Sequence, residues 1–397
     1  MFESISPAPP DAILGLTDAF KADPNPQKIN LGVGVYKDES GQTPILTAVK
    51  KAEARLLEKE TTKSYLPISG APAYATGVQE LLLGEGHALI SEGRIQTAHT
   101  PGGTGGLRVG GDFLKKFRPD ASIWVSNPTW ANHKAVFQAS GFSVKEYAYY
   151  DAENQSLDFD ALLEALSTVP AGDVVLLHVC CHNPTGVDPS PAQWEKIAAV
   201  AEVAGWFPFF DFAYQGFGTS VEADRYPLEL FAGKNLEFGV AASFSKNFGL
   251  YNERTGSFSI AGPDKSAVAA AFSHVKTVIR SNYSNPSRHG GAIVEEVLAD
   301  PALRQEWLDE LDTMRDRIKE LRTALVEGLS SRGIDRDFGF IAEQNGMFSF
   351  SGLNADQVKI LKEQNSIYIV GSGRINVAGI NRENLDPLCD AIAAVMA

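Results

Sequence analysis

The chain has 397 residues, enough for two or three domains at roughly 150 residues each, with 44% hydrophobic and 21% charged residues. Its formal net charge of −14 repels nucleic-acid phosphates and anionic membranes, so we expect neither among its partners. Three cysteines (Cys180, Cys181 and Cys389) are too few for a disulfide framework, and the N-terminus does not resemble a secretory signal. We therefore expect a cytoplasmic protein.

The middle of the chain predicts a parallel sheet. From about residue 100 to residue 262, short apolar runs alternate with helical stretches. Alternation of this kind is typical of a mostly parallel sheet with helices on both faces, an α/β fold. The predicted strands cover residues 122–128, 144–150, 173–181, 206–214 and 238–245.

The last third of the chain has a different pattern. Asp300-Pro301 is a helix start, and apolar residues then recur at steps of three and four as far as Leu329. This predicts one long helix near residues 301–331, followed by short strands and a final helix near 383–396. We predict a large domain over residues 46–312 and a smaller α+β domain built from residues 1–45 and 313–397, joined by the long helix.

Ligands of parallel sheets bind at the carboxyl ends of the strands, and two candidate loops lie there. A glycine-rich segment with Gly103 and Thr104 opens a helix, which favours either an anion site or a tight turn. Asn183 lies in the turn CHNPTG. His178 and His182 precede and enter that turn, and on an extended strand they would be about 13 Å apart, so we expect no metal site.

Two further strand ends carry an acid and an amine. Asp211 follows a very apolar run, where a carboxylate needs a cationic partner, and Tyr214 is three residues later. Lys246 ends the next strand, close to two serines and an arginine. A lysine beside an arginine and shielded from water has the lowered pKa of a Schiff-base amine. Ser243-x-x-Lys246 also matches an acylating serine dyad, but its usual companion motifs are absent from the sequence.

Three more side chains are candidates for ligand binding. Trp130 follows a predicted strand and could stack on an aromatic ring. Arg280 and Arg374 could each bind a carboxylate through two hydrogen bonds, although a surface ion pair is the commoner role of a single arginine.

Taken together, the motifs resemble the aspartate aminotransferase family of class I aminotransferases, which are fold-type I enzymes dependent on pyridoxal 5'-phosphate. The resemblance runs in the family order from GVGVYKDE near residue 32 to GRINVAG near residue 373. The motifs between them are PGGTGGL, NPTWANH, CHNPTG, DFAYQGF and SFSKNFGLYNERTG. It implies a seven-stranded, mostly parallel sheet between helices in the large domain, plus a smaller α+β domain.

The resemblance also implies the role of each site residue. The implied catalytic residues are Lys246, which bonds to the cofactor and moves the proton, Asp211, which faces the pyridine nitrogen with the support of His133, and Tyr214. The implied cofactor-binding residues are Gly103, Thr104, Trp130, Asn183, Asp211, Tyr214, Ser243, Ser245, Lys246 and Arg254, with Tyr65 from a second subunit. The implied substrate-binding residues are Gly34, Trp130, Asn183 and Arg374, with Arg280 from the second subunit.

The implied reaction is a ping-pong transfer of the amino group of L-aspartate to 2-oxoglutarate by a homodimer with shared active sites. Arg280 favours dicarboxylic amino acids and 2-oxo acids as substrates. Ser64 and Arg288 depart from the aspartate-selective pattern, so aromatic or dual specificity remains the alternative. A non-catalytic regulator on the same fold is a weaker alternative, because such proteins usually carry a basic DNA-binding segment.

Overall fold

The computed structural model describes residues 2–7 and 14–396. Residues 1, 8–13 and 397, which the sequence assigns to the small domain, lie outside the described part of the chain. The chain forms two compact units, a large unit of residues 44–316 and a small unit of residues 317–396 with the described part of 1–43. The sequence predicts the corresponding domain boundaries near residues 46 and 312.

The α-helices of the described residues are α1 (Leu14–Ala22), α2 (Thr47–Lys59), α3 (Pro72–Leu83), α4 (Ala88–Ser91), α5 (Gly102–Phe117), α6 (Asn132–Ala139), α7 (Phe159–Ser167), α8 (Pro191–Ala204), α9 (Tyr226–Gly233), α10 (Lys265–Asn282), α11 (His289–Ala299), α12 (Pro301–Ser330), α13 (Phe340–Glu343), α14 (Ala355–Asn365) and α15 (Arg382–Met396). The strands are β1 (Ile29–Asn30), β2 (Ile95–Pro101), β3 (Ser122–Asn127), β4 (Ser143–Ala148), β5 (Tyr150–Asp151), β6 (Ser156–Leu157), β7 (Val174–His178), β8 (Phe207–Phe212), β9 (Phe238–Ser243), β10 (Thr255–Ala261), β11 (Phe348–Phe350), β12 (Ile367–Tyr368) and β13 (Arg374–Asn376).

The large unit is built on a seven-stranded sheet in the order β2-β10-β9-β8-β7-β3-β4. All neighbouring strands are parallel except at β10, which is antiparallel to both β2 and β9. The predicted mostly parallel α/β sheet is therefore confirmed. Every residue of β7 and β9 is buried, which explains why these strands are continuous apolar runs in the sequence.

Helix α5 packs on the sheet at glycine positions that leave no room for a side chain. A Cβ atom at Gly110 would lie 2.4 Å from the Phe209 ring on β8, and one at Gly106 would lie 2.6 Å from the Ser257 carbonyl oxygen on β10. Side chains at these positions would force the helix away from the strands. The glycine-rich sequence after β2 is thus a packing surface along residues 102–111 of α5, as well as a turn at its start.

Helix α12 confirms the predicted long helix. The Asp300 carboxylate accepts hydrogen bonds from the Ala302 and Leu303 backbone N–H groups at 2.9 and 3.0 Å, as the predicted N-cap requires. The apolar stripe that the sequence predicts is buried along the helix, from Leu303 and Trp307 to Leu329.

The small unit is the predicted α+β structure. It contains the parallel pair β1–β12 and the antiparallel pair β11–β13, with α14 packed on α15. The end of α12 contributes the buried Arg322, whose guanidinium donates to the Gly346 and Phe348 carbonyl oxygens, both at 2.7 Å. A polar group inside a small core is stable only with such partners. Across residues 2–7 and 14–396, no helix has the length and apolar character needed to span a membrane.

Candidate active site

The polar cluster of the large unit lies at the carboxyl ends of the central strands, as expected for a parallel sheet. The register pairs Asp211 of β8 with His178 of β7 and with Ala241 of β9. Lys246 follows β9 by three residues, and Gly102 and Gly103 open α5 directly after β2. Sheet pairing therefore brings segments that are far apart in sequence to one edge.

Asp211 is a buried carboxylate held by histidine. Its side chain is 7% exposed, and its Oδ2 atom lies 2.9 Å from His133 Nε2 and 4.0 Å from His178 Nε2. On the other side of the imidazole, His133 Nδ1 lies 2.8 Å from Thr129 Oγ1. This chain of contacts fixes the orientation of the imidazole and of the carboxylate that it meets.

The environment keeps Asp211 ionised. Burial acts to raise the pKa of the Asp211 carboxyl, but the hydrogen bond from His133 and the attraction of nearby positive groups outweigh it and hold the pKa below its usual value. Lys246 is one of those positive groups. The acid and the amine therefore interact electrostatically inside one site.

The histidines require a correction to the sequence analysis. Strand β7 ends at His178 instead of continuing to residue 181, and the chain then turns, so the His178 and His182 ring centroids are 4.4 Å apart rather than about 13 Å. Burial, with a smaller contribution from His133, lowers the pKa of His178 to about 3, so this ring is neutral at pH 7. His133, His178 and Asp211 offer donor atoms within 4.8 Å of one another, which is also the spacing of a metal site.

Lys246 and Tyr214 lie together. The Lys246 Nζ atom is 4.6 Å from the centroid of the Tyr214 ring, and Tyr214 is buried. The Tyr214 backbone oxygen is 3.5 Å from the Cys180 thiol, which ties this loop to the end of β7. The Lys246 amine thus lies beside the Tyr214 ring and interacts with the negative charge of Asp211.

A polar cradle lies at the start of α5. The Arg254 guanidinium donates to Ser245 Oγ at 3.2 Å, and the Ser245 backbone N–H donates to Ser243 Oγ at 3.3 Å. A Cβ atom at Gly102 would lie 2.3 Å from Arg254 Nη2, and one at Gly103 would lie 2.9 Å from Ser243 Cβ. Helix amides, two hydroxyls and a guanidinium converge here, which is the donor set of a phosphate site.

The remaining candidates of the large unit flank this cluster. Asn183 is buried and precedes a cis peptide bond to Pro184. Its loop is held by Asp188, which accepts from the Cys181 and His182 backbone N–H groups, both at 2.8 Å. Trp130 is half-buried and meets the His133 ring edge to face, with centroids 5.2 Å apart. Thr104 lies in the first turn of α5.

Two residues assigned to a second subunit are exposed on this chain. Tyr65 is 94% exposed, and Arg280, near the end of α10, is exposed and donates to Ser284 Oγ. A large aromatic ring with that exposure has no role in the interior of its own chain. Tyr65 and Arg280 therefore lie outside the buried cluster around Asp211.

Arg374 and Gly34 belong to the small unit. The buried Arg374 guanidinium donates to the Gly32 carbonyl at 2.7 Å and lies 4.1 Å from the centroid of the Phe348 ring. The Asn376 amide donates to the Val33 and Val35 carbonyl oxygens at 2.7 and 2.8 Å, which holds the loop on both sides of Gly34. The contacts with Gly32 and Phe348 fix the orientation of the Arg374 guanidinium.

Several supporting residues are evident only in the structure. Thr129, Asp188 and Gly102 each hold a candidate side chain or its loop in position. Thr129 and Gly102 each lie inside a recognised motif next to a candidate residue, which is the signal that could have found them, whereas Asp188 lies two residues after CHNPTG. Tyr149 has no such signal, yet its ring stacks on His182 with centroids 3.9 Å apart.

Comparison with known proteins identifies close relatives. A family model described as aminotransferase class I and II matches residues 26–392. The aspartate aminotransferases of Salmonella typhi and Escherichia coli (strain K12) are 57% and 56% identical over 396 residues, which cover 100% of this chain and of each relative. The crystal structure of an aromatic-amino-acid aminotransferase from Burkholderia pseudomallei, covalently bound to pyridoxal phosphate, is 51% identical with a TM-score of 0.98, and 100% of both chains is covered.

Proposed function

This chain belongs to the class I and II aminotransferases, and from that membership we propose that it transfers the amino group of L-aspartate to 2-oxoglutarate. The products are oxaloacetate and L-glutamate. The mechanism is ping-pong, since the first oxo acid leaves before the second substrate binds. The cofactor is pyridoxal 5'-phosphate, the group bound in the Burkholderia relative.

The observation that carries the proposal is the convergence of Lys246, Asp211 and the polar cradle. An amine, an ionised carboxylate and a phosphate donor set lie at one edge of one sheet. Each of these groups is common alone. Together they match the three chemically distinct parts of pyridoxal phosphate, which are an aldehyde, a pyridine nitrogen and a phosphate.

The residues of the large unit fit that cofactor. The phosphate would be held by Gly103, Thr104, Ser243, Ser245 and Arg254. The ring would be held by Trp130, Asn183 and Tyr214, and the ring nitrogen by Asp211. When bound, pyridoxal phosphate withdraws the electron pair left behind when the Cα–H bond of the substrate breaks.

The protein's own groups supply the proton chemistry. With the cofactor bound, the Asp211 carboxylate would keep a proton on the pyridine nitrogen, because a buried negative charge stabilises a buried positive one. The free Lys246 amine can accept the Cα proton of the substrate. It would then return that proton to a carbon of the cofactor. Tyr214, 4.6 Å away, orients that amine. We propose that the contacts of Asp211 with His133 and His178 serve to hold this proton. We propose no metal ion at these three residues.

We further propose that two arginines select the substrate. Arg374 binds the α-carboxylate, which is supported by a guanidinium already oriented by Gly32 and Phe348. Arg280 binds the distal carboxylate in the active site of a second copy of the chain, where Tyr65 reaches the phosphate. The exposure of both residues on their own chain supports a homodimer with shared active sites.

We place the enzyme in the cytoplasm. The three cysteines, Cys180, Cys181 and Cys389, are buried as thiols, which supports a reducing compartment. We take the large unit as the cofactor-binding domain and the small unit as the domain that carries Arg374.

The second candidate is an aromatic or dual-specificity aminotransferase. It is favoured by the 51% identity to the Burkholderia enzyme. Aspartate is the better-supported substrate because the two aspartate aminotransferases are more similar, at 57% and 56%. The ratio of kcat/KM for aspartate, tyrosine and phenylalanine, with 2-oxoglutarate as acceptor, decides between them.

The direct test is Lys246→Ala. We expect transamination to fall by at least about a thousandfold, because both the covalent attachment and the proton carrier are lost. The variant should still bind pyridoxal phosphate noncovalently through the cradle. Retention of appreciable activity, or no spectral response of the wild-type enzyme to any amino acid, would contradict the proposed function.

A further inference from the structure

The segment that carries Lys246 is fastened to α12 by a tryptophan. The Trp307 indole N–H donates to the Asn247 backbone oxygen at 2.7 Å. The same indole stacks on the Phe248 ring, with centroids 4.5 Å apart and planes 19° from parallel. Trp307, Asn247 and Phe248 are each no more than 1% exposed. Asn247 and Phe248, the two residues after Lys246, are therefore held in place by α12, a helix that begins 55 residues after Lys246.

The loop that carries Tyr214 is attached to the same place. The Asn247 side-chain amide donates to the Gln215 backbone oxygen at 3.3 Å. Arg315, two turns along α12 from Trp307, donates to the Gly216 backbone oxygen at 3.4 Å. A Cβ atom at Gly216 would lie 2.3 Å from Leu311 Cδ2, so this loop also packs directly on α12.

The hydrogen bonds that α12 donates to these two loops reach backbone that flanks Lys246 and Tyr214. Trp307 and Arg315 donate to main-chain oxygens, one on each loop. A main-chain contact of this kind sets the direction in which the neighbouring side chain leaves the loop. Leu303 and Leu311, on the same buried stripe, can contribute only packing.

We propose that Trp307 is a positioning residue for the reaction. Its indole N–H sets the backbone at Asn247, and thereby the reach of the Lys246 amine relative to Tyr214 and Asp211. The inference rests on the proposed function of Lys246. A displacement of about 1 Å at a reacting group can reduce a rate by about a hundredfold, so loss of one anchoring hydrogen bond should be visible in kcat.

The test compares Trp307→Phe with Trp206→Phe. Phenylalanine at residue 307 keeps a ring against Phe248 and removes the N–H donor. Trp206 is the matched control, because it is 3% exposed and its indole N–H also donates to a backbone oxygen, that of Leu166, at 3.1 Å. Both variants lose one buried indole hydrogen bond of the large unit, but Trp206 lies at the start of β8, at the opposite end of the strand from Asp211.

We expect Trp307→Phe to lower kcat about tenfold or more with KM for aspartate within about twofold, and Trp206→Phe to leave both within about twofold. A readout separate from turnover is the protonation pKa of the cofactor-linked lysine, followed by absorbance against pH. It should move only in Trp307→Phe. Equal thermal destabilisation of the two variants with no difference in kcat or in this pKa would overturn the proposal.

A second replacement at residue 307 keeps the proposal testable if Trp307→Phe does not fold. Incorporation of 3-benzothienylalanine at residue 307 keeps the shape of the indole and substitutes sulfur for the N–H. The same loss of kcat and the same pKa movement are expected, and wild-type values for both would overturn the proposal. If the wild-type enzyme shows no lysine-linked absorbance, the proposed function itself has failed, which is a different outcome.

Discussion

At the scale of the residue, Asp211 is a carboxylate that stays ionised although it is buried. Its Oδ2 atom is 2.9 Å from His133 Nε2, and this contact together with nearby positive charge outweighs the effect of burial on its pKa. A neutral acid at this position could not stabilise a positive charge on the group it faces. The charge state, more than the shape of the side chain, is therefore what the site needs.

The corresponding substitution is Asp211→Asn, which keeps the shape and removes the charge. We expect kcat for aspartate to fall at least about a hundredfold, as is common when one preorganised electrostatic contact is lost. Cofactor affinity should change much less, because the cradle around Arg254 is untouched. The measurement is kcat by coupled assay beside the dissociation constant for pyridoxal phosphate.

Asp173→Asn is the control for Asp211→Asn. Asp173 is 8% exposed and accepts hydrogen bonds from the Ser122 backbone N–H and the Trp124 indole at 2.9 and 2.8 Å, immediately before β7. It is a buried, hydrogen-bonded carboxylate at the opposite edge of the sheet. Stability should drop in both variants, whereas an unchanged kcat in Asp211→Asn would refute the role of its charge.

At the scale of the element, the start of α5 is shaped by a single glycine. Gly102 has φ +72°, and a Cβ atom there would lie 2.3 Å from Arg254 Nη2. The helix can begin beside the guanidinium only because this residue has no side chain. The position of Arg254, and so the geometry of the cradle, depends on the conformation of the residue that opens the helix.

We therefore expect Gly102→Ala to weaken pyridoxal phosphate binding by about tenfold or more, the value of one charge-assisted hydrogen bond. Gly86→Ala is the control, because Gly86 has φ +76° and no atom within 4 Å of an added Cβ. Both substitutions strain the backbone, and only the first displaces Arg254. Equal dissociation constants for the two variants, measured by equilibrium dialysis, would argue against the cradle.

At the scale of the whole molecule, the proposed site is larger than one chain. The described cluster contains the amine, the carboxylate and the phosphate donors, whereas Tyr65 and Arg280 are directed to the surface. A closed symmetric dimer would supply these two residues twice, once to each site. In the proposed homodimer, the second subunit would be part of the active site and not only a source of stability.

Subunit exchange between Arg280→Ala and Lys246→Ala tests this arrangement. A hybrid dimer has one site in which a chain with Lys246 meets a partner with Arg280, so mixing two weakly active variants should restore about a quarter of wild-type activity toward aspartate. If Arg280 served the site of its own chain, no hybrid site would be complete and activity would stay at the level of the separate variants.

The sequence by itself determines five of the seven strands of the large sheet, the long helix α12 and the types of side chain that lie at the strand ends, whereas β2 and β10 are not among the predicted strands. Those features depend on local patterns: apolar runs, a three-and-four stripe and Asp-Pro at a helix start. The family motifs add the cofactor and imply the roles of the site residues, because their residues keep a common order and spacing.

Only the tertiary structure decides which of these groups meet. The chain turns after His178, and the two histidines that an extended strand would separate by about 13 Å lie 4.4 Å apart. In the sequence, Trp307 is one more apolar position of the stripe on α12. In the structure, its indole N–H donates to the backbone oxygen of Asn247, 60 residues earlier in the chain. Local pattern predicts which face of a helix is buried, whereas the partner of a buried polar atom is set by packing between segments remote in sequence.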